Sequence, residues 1–368
     1  LKSYGYKEIR TPVYEDVALF KRSLGQTSDV VNKQLLELAN AKEDEGYALR
    51  PEGTASVVRT YIENSMDAKE SLSKLFYMGP MFRGERPQKG RLRQFHQIGV
   101  EAIGPDSTSP LLDAEVITLS IQLLKKFGIQ SYRLKINSLG SKEDKANISN
   151  WLRKEFSLRV NDLCDECKSR YERNVFRVLD CKNESCRSIV ASLVKNLPLS
   201  TESQTYFQQV QDALKAVDIK FEIAPHLVRG LDYYVHTVFE ITADGLGSQD
   251  AVGAGGRYSG LIHELGGNEK INYGAIGFAL GMERVLLALG QQEITVQHLD
   301  AYVIAMDAAY QAQAFNLTQH LRDAGIGADM NYGTGSMKSQ MNKANKSNAR
   351  FALILGEEEI KNKTVSVK

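Results

Sequence analysis

The chain has 368 residues, 42% of them hydrophobic and 25% charged, the balance of an ordinary globular protein with room for two or three domains. Its 46 basic and 45 acidic residues leave a formal net charge of +1, so a nucleic-acid partner must be met by local basic patches rather than by the field of the whole molecule. No apolar run approaches the ~20 residues that cross a bilayer, and the longest, 275–289, is interrupted by Gly277, Gly281, Glu283 and Arg284.

The first residue is Leu1 and no signal-peptide pattern follows. The expectation is a cytoplasmic chain that starts inside a longer gene product and stops at Lys368 within a strand. In chain order, 6–12 reads as a strand entering a turn, and 53–63 as a helix after Pro51. Residues 74–82 and 95–104 are strand-like, with a polar tip between them holding Gly84, Pro87 and Gly90. An amphipathic helix is expected over 113–127 and a strand over 132–137. Residues 141–222 turn polar, charged and helical, which reads as an insertion. Strand character returns at 221–223 and 235–242, followed by the glycine-rich stretch 245–260 and an apolar strand running into a helix over 271–289. From 301 the pattern is β-α-β-α-β, a small α/β unit with a parallel or mixed sheet.

The richest segment is 82–101, FRGERPQKGRLRQFHQIGVE. Between Arg83 and Arg93 lie five cations (Arg83, Arg86, Lys89, Arg91, Arg93) and one anion, Glu85. Alternate strand residues share a face, so Arg91, Arg93 and Phe95 are expected to point the same way. Paired guanidiniums beside an aromatic ring suit a nucleotide, because arginine grips phosphate bidentately and a ring stacks on a base. A charge run alone is ordinarily wet surface, and the interleaved Phe95, Gln97 and Glu101 argue against that here. Gly253, Gly255 and Gly256 do not form a Walker loop, since no G-x-x-x-x-G-K-[ST] occurs.

All four cysteines fall within 23 residues, spaced C-x2-C-x13-C-x4-C at Cys164, Cys167, Cys181 and Cys186. That is near the spacing of a tetrahedral four-cysteine zinc site. Four reduced thiols are the alternative, and the second spacing is looser than a C-x2-C knuckle. Reduced thiols are favoured and no metal is assigned from sequence.

Segment 82–104 resembles motif 2 of the class II aminoacyl-tRNA synthetases, in the form found in bacterial-type histidyl-tRNA synthetases. RGLDYYVHTVFE (229–240) is similar to that family's signature peptide. AGGRYSGLI with YGAIGFALGMERVLLAL resembles its glycine-rich strand and motif 3. ALRPEGT (48–54) matches its amino-acid-binding loop, and 5–12 followed by FKRSLGQTSDVV looks like motif 1, which builds the family's homodimer interface. The resemblance covers nearly the whole chain, with the motifs in the family's order.

It implies an α+β class II catalytic domain, a mainly antiparallel sheet flanked by helices, in two parts (1–140 and 223–290) around a helical insertion (141–222). An α/β anticodon-binding domain (299–368), truncated at its C-terminal end, completes the chain. It implies an enzyme that activates L-histidine with ATP, as its Mg2+ complex, and passes it to tRNA(His). By resemblance, Arg83 and Arg229 are the catalytic cations at the α-phosphate, and Arg83 also meets the histidine carboxylate. Glu85, Arg91, Arg93, Phe95 and Arg284 bind ATP. Glu101 and Tyr234 hold the imidazole, Tyr233 lines the pocket, and Glu52, Thr54 and Gln97 hold the α-ammonium. Arg86 and Gln88 contact the tRNA acceptor end. Lys338, Lys343, Lys346 and Arg350 lie on or just after one helix and suit the phosphates of an anticodon stem, with a solvated basic helix as the alternative. The rival is the non-catalytic regulatory subunit of ATP phosphoribosyltransferase, which shares the catalytic fold. Such proteins lack the anticodon domain and have eroded motif 2 residues, whereas Arg83, Glu85, Arg91, Arg93, Phe95 and Glu101 are all present here. A general nucleic-acid-binding module would not account for the histidine-pocket set.

Overall fold

The computed structural model describes residues 1–25, 28, 30–39, 46–105, 107–244, 246, 250–290, 299–333 and 335–368. Parts of two expected segments, 26, 27 and 29 of the motif 1 match and 245 and 247–249 of the glycine-rich stretch, lie outside these. The chain separates into two compact units, Leu1–Gly290 and Gln291–Lys368.

The strands of the first unit are β1 (Lys7–Glu8), β2 (Tyr14–Asp16), β3 (Leu36–Leu38), β4 (Tyr47–Leu49), β5 (Ser73–Phe82), β6 (Gln94–Pro105), β7 (Tyr132–Ser138), β8 (Glu222–Ile223), β9 (Val235–Ala243), β10 (Ala251–Arg257) and β11 (Tyr273–Gly281). Its helices are α1 (Val17–Leu24), α2 (Thr54–Glu63), α3 (Pro110–Lys126), α4 (Lys142–Ser157), α5 (Asp165–Arg173), α6 (Glu184–Leu193), α7 (Thr201–Ala216), α8 (Gly260–Glu264) and α9 (Met282–Leu289). Eight strands form the main sheet, in the order β1-β5-β6-β11-β10-β9-β7-β8. Every pairing from β5 to β7 is antiparallel, and the short edge strands β1 and β8 join in parallel. A small antiparallel sheet, β2-β4-β3, stands beside it.

Period-two alternation assigns the two faces of the sheet. On β6, Val100 and Ala102 join one apolar cluster, while Phe95 and Ile103 join the other. The first cluster is closed by α3 and α7, which contribute Val116, Ile117, Ile121, Phe207, Val210 and Leu214. The second is shared by α1, α2, α8 and the segment 148–199.

Three expectations change here. The α3 helix starts at Pro110, three residues ahead of the expected 113, because Ser109 accepts from the N–H of Leu111 (3.2 Å) and Pro110 needs no partner at the first helical position. It is also buried on more than one side, since α7 packs against it on the same face of the sheet. The stretch read as one helical insertion divides. Helices α4 to α6 share the cluster of the second face, whereas α7, with apolar residues at 207, 210 and 214, packs on α3 on the other. Buried Asp144 joins these parts, accepting from the N–H of Ser141 (3.1 Å), the N–H of Ser200 (3.0 Å) and the Ser200 hydroxyl (2.9 Å).

The second unit is β12 (Ala301–Ala305), α10 (Gln311–Asp323), β13 (Ala328–Met330), α11 (Met337–Lys346), β14 (Phe351–Leu355), α12 (Glu357–Asn362) and β15 (Ser366–Val367). Its sheet runs β13-β12-β14-β15, parallel except at β15. Ala301, Val303 and Ala305 pack with Ala314 of α10, and Tyr302 and Ile304 with Ala344 of α11. Such two-sided burial is why these strands read as continuous apolar runs. Lys338, Lys343, Lys346 and Arg350 are all exposed, with Lys343 donating to Asn331 (2.9 Å).

Candidate active site

A cavity of about 330 Å³ opens on the β6–β11–β10 part of the sheet, lined by residues from six separate stretches of chain. Glu52 and Thr54 come from the start of α2. Arg83, Glu85, Arg91, Phe95 and Gln97 come from the β5–β6 hairpin. Arg229, Tyr233 and Tyr234 come from the loop before β9, Glu240 from β9 itself, and Glu283 and Arg284 from the start of α9.

Glu52 is shaped by helix geometry. Its carboxylate accepts the N–H groups of Thr54 and Ala55, both at 2.8 Å, so it occupies the positive end of α2. Burial raises its pKa, and these bonds pull against that rise. In the hairpin, Arg83 donates through Nε to the carbonyl of Pro51 (3.0 Å), and its guanidinium lies 5.2 Å from the centroid of the Phe95 ring. Glu85 stands between Arg83 (3.9 Å) and Arg91 (3.4 Å).

Arg93 does not join them. The strand begins only at Gln94, after a tight turn in which Gln88 and Arg91 exchange backbone hydrogen bonds around Gly90, whose φ is +73°. Alternation therefore stops before Arg93, which is exposed and whose backbone carbonyl accepts the N–H of Arg83 (2.9 Å). Arg86 and Gln88 are exposed at the loop tip. Arg284 braces the same loop, donating to the carbonyls of Gly90 (2.8 Å) and Ala251 (2.7 Å). Since a guanidinium carries five N–H donors, a phosphate can still be bound there.

Glu101 lies beneath the cavity rather than on its wall, and is 1% exposed. It accepts from the hydroxyls of Thr54 (2.7 Å), Tyr77 (3.5 Å) and Tyr258. Gly277 is its cross-strand neighbour, and a Cβ there would stand 1.9 Å from a Glu101 oxygen. Only glycine leaves room for the carboxyl. Burial pushes the Glu101 pKa up to about 8, against the pull of the Tyr258 and Thr54 hydroxyls. The unfolded chain gives up this proton near pH ~4.3, so between there and pH 8 the folded state binds the extra proton. Its contribution to stability thus falls as pH rises, by up to about 1.4 kcal/mol per unit. Glu101→Gln is expected to flatten that decline, read as urea midpoints at pH 5.5 and 8; equal slopes in both proteins would contradict the buried, protonated carboxyl.

Two polar atoms at the wall are buried with no hydrogen-bond partner among the described residues, Gln97 Oε1 and Arg229 Nε. One is an acceptor and the other a donor, and each calls for a partner. Arg229 is otherwise held by Glu240, 2.7 Å away. Tyr233 and Tyr234 pack ring to ring at 4.6 Å, and burial lifts the Tyr234 hydroxyl to a pKa of about 12. Glu283 fastens the start of β6, accepting from the N–H of His96 (2.9 Å) and facing its ring Nδ1 (2.9 Å).

Sequence reasoning missed Tyr77, Tyr258, Glu240 and Glu283. The last three stood inside the quoted motif segments without a role. Tyr77 carried no signal beyond its position on a strand.

Motif-bearing antiparallel strands, a cationic hairpin and an arginine on the following helix define the catalytic domain of a class II aminoacyl-tRNA synthetase. The sequence model of the family described as Histidyl-tRNA synthetase matches residues 1–285, and that of the Anticodon binding domain matches 300–368. A histidine–tRNA ligase of Moorella thermoacetica is 45% identical over 369 residues, 99% of this chain and 86% of the relative. One of Natranaerobius thermophilus is 43% identical over 371 residues, again 99% and 86%. Among solved structures, apo histidyl-tRNA synthetase of Staphylococcus aureus aligns with a TM-score of 0.78 at 36% identity, covering 100% of this chain and 87% of that one. The chain belongs to the histidyl-tRNA synthetase family.

Proposed function

We propose that the cavity holds L-histidine and ATP side by side and joins them as histidyl-adenylate, the first half of the histidine–tRNA ligase reaction. The unpartnered pair at the wall carries this reading. Gln97 Oε1 accepts from the α-ammonium, with Glu52 and Thr54 beside it, and Arg229 Nε donates to the anion formed where carboxylate meets α-phosphate. That reaction brings two anions together, so cations fixed in advance lower its barrier. Arg83 and Arg229 supply them, and no nucleophilic side chain is required. ATP enters as its magnesium complex, with adenine stacked on Phe95, its amino group read by Glu85, and its outer phosphates near Arg284 and Arg91.

Tyr234 and Glu101 select the imidazole. A site whose buried polar groups are left unpaired by an analogue discriminates against it. Glu101 acts from below, through Tyr258 and Thr54, until a ligand opens the floor.

Transfer to tRNA(His) follows at the same site, with Arg86 and Gln88 at the acceptor end and the exposed basic residues of α11 on the anticodon stem. A catalytic domain interrupted by the helical stretch after residue 140 and followed by an anticodon-binding domain from 299, homodimerisation through the motif 1 segment and a cytoplasmic location, where cysteines stay reduced, belong to the same reading. The test is ATP–pyrophosphate exchange. Histidine should stimulate exchange in the intact protein; a folded protein that binds ATP without histidine-dependent exchange would instead be a non-catalytic relative.

A further inference from the structure

The four cysteines come from three structural settings. Cys164 precedes α5 and Cys167 lies in its first turn. Cys181 follows a 3-10 turn at Val175–Val178, and Cys186 sits in the first turn of α6. Nothing in adenylate chemistry uses them, yet their four Sγ atoms lie within 4.8 Å of one another, three of the residues being buried.

We propose that Cys164, Cys167, Cys181 and Cys186 bind one structural Zn2+ ion that holds this segment against the loop carrying Arg229. A tetrahedral ion with Zn–S bonds of ~2.3 Å sets its sulfurs ~3.8 Å apart, and Cys164 Sγ and Cys181 Sγ are separated by 3.8 Å. A disulfide would need ~2.0 Å. Two backbone N–H groups point at the sulfurs, Cys164 N at Cys186 Sγ (3.3 Å) and Asn183 N at Cys181 Sγ (3.4 Å). Donors of this kind orient and stabilise thiolate ligands. Binding displaces the four thiol protons, so the ion enters as Zn2+ and nothing is oxidised or reduced.

The segment touches the loop that lines one side of the site. Asn174, between α5 and the 3-10 turn, donates through Nδ2 to Asp232 (2.8 Å). A Cβ at Gly230 would meet Arg177 Nη1 at 3.2 Å. Both contacts fall on the loop that holds Arg229, Tyr233 and Tyr234. Helices α5 and α6 have nine and ten residues, short enough to depend on tertiary support, part of which is their place in the apolar cluster of the second face. A metal staple adds to that packing, and so fixes the loop that carries Arg229, Tyr233 and Tyr234.

The decisive measurement is metal content of the full chain, purified without added zinc and again after incubation with zinc and desalting. About one equivalent is expected, released by a mercurial reagent as the four thiols react, and absent from a Cys181→Ser/Cys186→Ser variant. Stripping the metal from the wild-type protein should open the segment 158–200 to protease and weaken histidine binding, and zinc should restore both. Less than half an equivalent after reconstitution, or the same zinc content in the double-serine variant, overturns the proposal. So does a pair of disulfides in place of four titratable thiols.

Discussion

Arg229→Ala is expected to lower the rate of histidyl-adenylate formation about 10²–10³-fold, the loss typical of one preorganised donor at a developing charge, while the Kd for histidine changes little. The side chain is placed for this role by Glu240, 2.7 Å away, and its Nε is buried without a partner. An interaction made mainly in the transition state lowers turnover and leaves ground-state binding nearly intact. Single-turnover adenylate formation beside equilibrium histidine binding separates the two. Equal losses in both would assign Arg229 to substrate binding alone.

The second large effect concerns stability. Asp113 and Arg257 form an ion pair in which both residues are at most 1% exposed. Arg257 also donates to the carbonyl of Ser107 (3.0 Å), and the Tyr206 hydroxyl donates to Asp113 (3.1 Å). The group ties the end of β10 to the start of α3 and to α7. Asp113→Ala leaves a guanidinium buried without its counter-ion, and should reduce unfolding free energy by about 3–5 kcal/mol. Replacing both partners by apolar residues of similar volume should cost much less. Urea denaturation of the single and double variants checks this. A single variant within about 1 kcal/mol of wild type would mean that the pair is not sealed from water.

The catalytic hairpin was legible because its strands have a simple period and its loop a dense charge pattern. Of the three residues that alternation aligned, Arg91 and Phe95 line the cavity and Arg93 does not, because the strand begins after it. The helical stretch 141–222 was legible as helix and not as architecture. Its composition does not reveal that α7 packs beside α3 on one face of the sheet while α4 to α6 pack on the opposite face. Tyr77 and Gly277 flank Glu101 through the register of β5, β6 and β11, and Tyr258 reaches it from just past β10, a relation between residues up to 200 positions apart that no local pattern records.

The sequence alone determined the family, the order of its motifs and the chemical types gathered at the site, since these depend on residue identity along one stretch at a time. Its four cysteines left zinc and free thiols as alternatives, because spacing sets only how far apart ligands are along the chain. Tertiary structure decided the rest: which polar atoms beside the cavity are buried without a partner, that Glu101 lies beneath its floor, and that four sulfurs meet within ligand distance. Those outcomes depend on packing between distant segments, where burial and hydrogen bonding set the energy of each group.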